Sequence, residues 1–150
     1  MSLSPTSLDD RVAVSGQLVP ADMKEAAAAG YVAVVNNRPD GEAMFGQPRT
    51  ADLQRAAEAA GLIFLDLPFA GSRFTPEQVH AFVDLLAGRD GKVLAFCKSG
   101  MRSALLWGAA AVAAGKPLDQ VLAAARAAGQ NLDPAAELLK SMSALGESAR

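Results

Sequence analysis

Three stretches of the chain are apolar at almost every position: YVAVVNN from Tyr31, LIFLDL from Leu62 and KVLAFC from Lys92. A shorter one, RVAVSGQ from Arg11, precedes them. Near-continuous apolar runs of this length suit strands covered on both faces, as in a parallel sheet. Between them lie ADMKEAAAA, ADLQRAAEAA and PEQVHAFVDLLA, which carry helical patterns. Strand alternating with helix predicts an α/β fold: three layers, with a mostly parallel central sheet of four to five strands flanked by helices.

The punctuation between the runs agrees with that reading. Thr75-Pro76-Glu77-Gln78 supplies an N-cap, a proline at the first helical position and a capping-box glutamine ahead of Val79, Phe82, Val83 and Leu86. Gly30, Gly61, Gly115 and Gly129 each end an alanine-rich helical run. MRSALLWGAAAVAAG, from Met101, is apolar nearly all round and predicts a central helix packed on the sheet, with Trp107 filling space there. Two shorter helices are expected near Leu118 to Ala128 and Pro134 to Leu145, the second with Asp133 as N-cap. No repeat or internal linker interrupts the pattern, so residues 1–150 read as a single domain.

Charge and composition narrow the function. A net charge of −2 gives no reason to expect nucleic acid or a membrane as partner. The start, MSLSPTSLDDR, lacks the basic and apolar regions of a signal peptide, which makes a cytoplasmic location the expectation. One cysteine and one histidine, Cys97 and His80, exclude an intramolecular disulfide and supply too few ligands for a zinc site without several carboxylates. No metal and no cofactor are expected.

The chemistry concentrates in FCKSGMRSA, Phe96 to Ala104. If KVLAFC is a strand and the helix begins near Met101, then Lys98 to Met101 form a tight loop whose backbone N–H groups converge at a helix N-terminus. Such a site favours an anion and lowers the pKa of a thiol at its rim. Gly100 permits a turn with positive φ, and Arg102 offers a planar fork for two oxygens of an oxyanion. Ser103 can donate a hydrogen bond to a thiolate or to a departing group, and Lys98 raises the local positive potential. A lone cysteine is ordinarily a buried apolar residue, but one followed by a glycine, an arginine and a helix start points to a nucleophile.

Cys97-Lys98-Ser99-Gly100-Met101-Arg102 resembles the C-x-x-G-x-R loop of rhodanese-type sulfurtransferases, one residue shorter than the C-x-x-G-x-x-R loop of cysteine-dependent phosphatases. Val35 to Glu42 (VNNRPDGE), with Val14 to Gln17 and Leu67-Pro68 leading to Thr75-Pro76-Glu77, is similar to the bacterial beta-lactamase-hydrolase-like family. The resemblance implies a dual-specificity-phosphatase-like fold, with Cys97 as nucleophile and Arg102 as the anion-binding arginine. Lys98, Ser99, Gly100, Met101 and Ser103 would bind substrate through the loop. Phosphatases of that fold place an aspartate general acid in the loop after the third strand. Here that loop reads LPFAGSRF and holds no carboxylate.

Sulfite leaving thiosulfate needs no general acid, whereas a departing alkoxide does. On loop length and the missing acid, the first expectation is transfer of sulfane sulfur through a Cys97 persulfide, from a small anionic donor such as thiosulfate or a persulfide to a thiol, with a thiol acceptor protein as a candidate partner. The alternative is a phosphatase acting on a phosphate ester through a phosphocysteine. A third is a non-catalytic module that binds an oxyanion or senses oxidants. Arg38 either reaches the anion or pairs with Asp40 or Glu42. Arg73 and His80 are expected on the surface, and Asp66 as a hydrogen-bonding residue at a strand end.

Overall fold

The computed structural model describes residues 3–149, with side chains placed as far as residue 145. Five strands are present: β1 (Thr6–Ser7), β2 (Val12–Ser15), β3 (Tyr31–Asn36), β4 (Ile63–Asp66) and β5 (Lys92–Phe96). They form one sheet in the order β1-β2-β5-β3-β4. The last four are mutually parallel, while β1 runs antiparallel along the outer edge of β2. The four apolar runs are these parallel strands. β1 has only two exposed polar residues and therefore carries no hydrophobic pattern.

The helices are α1 (Asp22–Ala28), α2 (Thr50–Ala59), α3 (Pro76–Gly88), α4 (Met101–Ala113), α5 (Leu118–Ala127) and α6 (Ala136–Ala149). Alternation along β5 shows why its sequence is apolar at successive positions. Val93 and Ala95 enter a core shared with α3, α4, α5 and α6. Leu94 and Phe96 enter a second core, on the opposite face, with Met23 and Ala26 of α1 and Leu53 and Ala57 of α2. A strand buried on both faces has no position where water would reward a polar side chain.

α4 is buried without interruption from Ser103 to Ala110, held between the sheet and its neighbouring helices. Trp107 sits in this core, and its Nε1 donates to Asp9 Oδ2 at 3.1 Å. The capping box of α3 is complete: Gln78 N donates to Thr75 Oγ1 at 3.1 Å and Thr75 N to Gln78 Oε1 at 3.0 Å. All four helix-stop glycines have positive φ. Asp133 departs from its expected capping role. It lies inside a short 3₁₀ turn that leads into α6, and its carboxylate pairs with Arg126 Nη1 at 2.7 Å. Leu132 stands at the N-cap position without a side-chain cap, and Asn131 Oδ1 accepts from Asp133 N at 3.1 Å just ahead of the turn. No helix among the described residues is long and apolar enough to cross a membrane.

Candidate active site

The chain goes from β2 through α1 to β3, leaving a gap that β5 fills later. The C-terminal end of β5 is thus flanked on both sides by ends of parallel strands, which is where open α/β sheets form their ligand crevice. Cys97 follows β5 directly. The neighbouring strands grip the loop it begins: Cys97 N donates to Ser15 O at 3.3 Å, Gln17 N to Lys98 O at 3.4 Å and Asn37 N to Phe96 O at 2.9 Å. Gly16 lies so close that a Cβ there would sit 3.0 Å from Lys98 O.

Within this frame the loop turns its amides onto the sulfur. Gly100 takes φ +94°, in the left-handed region, and its N–H donates to Cys97 Sγ at 3.1 Å. A Cβ on Gly100 would also meet the Gln130 side chain at 3.0 Å. Cys97 is 1% exposed. Burial pushes its pKa up, but backbone N–H groups of Ser103, Ser99, Gly100 and Arg102 outweigh that and hold it below the ordinary thiol value.

Arg102 is the second half of the site. Nη1 and Nη2 hold Glu42 end-on, at 2.6 Å to Oε2 and 2.9 Å to Oε1, and Nη1 also donates to Phe69 O at 3.1 Å. A guanidinium has five N–H donors. Three being engaged, Nε–H and the second Nη2–H remain, and these form the side fork that matches an oxyanion. The guanidinium interacts with the Cys97 sulfur as well as with Glu42, and both partners raise its pKa. Glu42 is pulled down to about 2, mainly by its bond to Arg102 and further by Arg38. It is therefore a fixed anion near neutrality, able to orient Arg102 and unable to donate a proton.

Arg38 settles beneath this pair. It is 6% exposed, with Nε on Glu42 Oε1 at 2.9 Å and Nη1 on Gln17 Oε1 at 2.9 Å. Of the two expected partners it takes Glu42. Asp40 is used elsewhere, accepting from Thr50 N and Oγ1 at the start of α2. Lys98 and Ser99 are exposed on the loop, and Met101 is exposed at the start of α4. Ser103 is fully buried, and its Oγ donates to Asn37 Oδ1 at 2.8 Å, so its hydroxyl proton is not aimed at the sulfur.

Asp66 accepts from Asn36 Nδ2 at 2.8 Å, as expected of a strand-end hydrogen-bonding residue. Arg73 is exposed. His80 differs from its expected surface position: it is half-buried, with Nε2 covered and without a hydrogen-bond partner. Sequence reasoning did not find the Glu42–Arg102 contact, which joins residues 60 positions apart. No local spacing announces such a pair. Asn37 and Gln130 were missed for the same reason.

Residues 6–115 match the family described as beta-lactamase hydrolase-like protein, phosphatase-like domain. The chain belongs to this family. A beta-lactamase hydrolase-like protein of Xylella fastidiosa (strain Temecula1) is 36% identical over 134 residues, covering 89% of this chain and 31% of that protein. The chain thus spans about a third of the length of that relative. Among solved structures, a candidate phosphatase from Neisseria meningitidis superposes with a TM-score of 0.78 at 34% identity, over 91% of this chain and 96% of that one. The active form of Tk-PTP gives a TM-score of 0.73 at 23% identity, over 98% and 99% of the two chains, a likeness of fold. The three-layer fold is that of the cysteine phosphatases, as the resemblance implied.

Proposed function

We propose that the chain hydrolyses phosphate monoesters through a phosphocysteine at Cys97. The observation that carries this reading is the pairing of a buried, amide-stabilised sulfur with the side fork of Arg102 that Glu42 leaves unused, on a chain of a phosphatase-like family. In the first step the Cys97 thiolate attacks phosphorus, an S–P bond forms and the bond from phosphorus to the leaving oxygen breaks. Loop amides and the Arg102 fork hold the equatorial oxygens, whose charge they match best in the transition state. In the second step water attacks phosphorus, the S–P bond breaks, and phosphate and the thiolate are released.

The family and its solved neighbours favour this reading over sulfur transfer, which loop length and the missing acid had placed first. Those two features still shape the proposal. Residues 67–75 contain no carboxylate, and Glu42 is held at about 2 and cannot protonate a leaving group. Leaving groups that depart as stable anions are therefore the preferred ones, aryl over alkyl. The six-residue loop from Cys97 to Arg102 also keeps a second reading in view, sulfane-sulfur transfer through a Cys97 persulfide to a thiol acceptor.

Intact mass and turnover separate the two. Incubation with aryl phosphate should release phosphate, add one phosphoryl group to trapped protein and fail in Cys97→Ser. Aryl phosphates should outpace alkyl phosphates by roughly a hundredfold or more, the size of one general-acid contribution. A gain of one sulfur from thiosulfate, with no turnover of any phosphate ester, would replace this reading by sulfur transfer.

A further inference from the structure

Asn37 follows β3 directly and is fully buried, yet it carries a primary amide in a place that an apolar side chain could fill. Burying an amide is unfavourable unless its polar groups are paired. Those of Asn37 are, and each bond leads to the catalytic loop or to the segment that holds Arg102. The main-chain N–H donates at 2.9 Å to Phe96 O, immediately before Cys97. Oδ1 accepts from Ser103 Oγ at 2.8 Å, in the first turn of α4. Nδ2 donates to Leu67 O at 3.0 Å, and the main-chain carbonyl accepts from Phe69 N at 3.3 Å. Phe69 O is in turn the acceptor for Arg102 Nη1 at 3.1 Å.

These bonds bear on both halves of the site. Phe96 and Ser103 stand on either side of the stretch from Cys97 to Arg102, so one residue fixes both ends of the loop. Burial raises the Cys97 pKa, and of the amides that outweigh it the Ser103 N–H contributes most. That N–H is one of the free donors at the start of α4, and its aim depends on where the first turn sits relative to the end of β5. α4 has no side-chain cap of its own, with Gly100 at the N-cap position. The Ser103–Asn37 bond ties the turn to the end of β3 instead. Asn36 does not share this duty, since its side chain is spent on Arg38 O and Asp66 Oδ1.

We infer that Asn37 is a positioning residue: through the Ser103 hydroxyl it sets the first turn of α4 against Cys97, and through Leu67 and Phe69 it sets the carbonyl that steadies Arg102. An asparagine suits the place because its side chain must accept from a hydroxyl and donate to a carbonyl at once. Aspartate lacks the donor and adds a charge, and leucine offers neither. The effect of Asn37 on turnover rests on the phosphatase reading; its effect on the thiol and on anion binding does not.

The test reads the thiol and the anion site separately from turnover. Alkylation of the full chain by iodoacetamide against pH should show a midpoint higher by roughly half a unit to one unit in Asn37→Ala and in Ser103→Ala, the effect of about one hydrogen bond. Inorganic phosphate should protect Cys97 of the wild type from alkylation, and Asn37→Ala should need severalfold more of it. In the Ser103→Ala background, Asn37→Ala should add little to the midpoint, because the route is already cut. A folded Asn37→Ala with the wild-type midpoint overturns the inference, whatever its melting temperature, and leaves a purely structural amide. So does a full second rise in the double variant, which would mean that Asn37 does not act through Ser103. If Asn37→Ala does not fold, Ser103→Ala decides, and a wild-type midpoint there overturns the inference. The expected midpoint shifts in a protein that turns over no phosphate ester would support the positioning role and overturn the phosphatase reading alone.

Discussion

At Cys97 two opposed effects meet, and their balance decides whether the sulfur is inert or reactive. Burial alone would keep the thiol protonated, while the four amides aimed at it favour the thiolate and prevail. Alkylation by iodoacetamide should therefore show a midpoint below the value of about 8.5 for a free cysteine. Gly100→Ala should raise that midpoint, because φ +94° disfavours a Cβ and the Gly100 N–H would swing off the sulfur. Equal midpoints in variant and wild type would mean that the loop does not activate the thiol. This residue-level chemistry was legible in the sequence, since a cradle needs only consecutive residues from Cys97 to Ser103. The direction of the Ser103 hydroxyl was not, because its acceptor, Asn37, comes from β3's end.

The elements themselves were legible wherever burial acts on both faces of a strand or all round a helix. β5 and α4 announced themselves for that reason, and α3 through its capping box. β1 and the 3₁₀ turn at Asp133 left no pattern, being two and three residues long. The loop after β3 escaped differently: its chemistry depends on which long-range partner each charge finds. Glu42 found Arg102, and its folded pKa of about 2 lies below the ordinary carboxylate value of about 4.3. A depressed carboxylate contributes stability above its unfolded pKa and loses it as pH falls through the folded one. Acid titration of stability should thus decline between about pH 4.3 and 2 in the wild type, and less steeply in Glu42→Gln. At neutral pH the same variant should lower kcat/KM for an aryl phosphate by about tenfold or more, as Arg102 loses its end-on anchor. Undiminished turnover in Glu42→Gln would reduce the pair to a surface ion bridge.

Across the whole molecule, net charge misdescribes the field that a substrate meets. The chain carries −2, which, read as a sum, gave no reason to expect nucleic acid or a membrane as partner. The fold places the loop amides and the Arg102 guanidinium directly around Cys97, while most of the carboxylates at that end of the sheet are spread over its strand ends and helix starts, among them Asp40, Asp52, Asp66 and Glu77. The two descriptions predict opposite responses to salt. A uniformly negative body would repel a dianionic phosphate ester, so screening would speed its capture. A cradle made locally positive by its own amides and Arg102 attracts the ester, and screening slows it. The Debye length shrinks from about 30 Å at 0.01 M to about 3 Å at 1 M, so a change of that range reaches from whole-molecule steering down to contact distance. kcat/KM for a small aryl phosphate should fall severalfold over it, and kcat should move much less, since the bound ester is already inside the cradle. A rate that rises with salt would show that the distribution of charge, like its sum, is negative where the substrate enters.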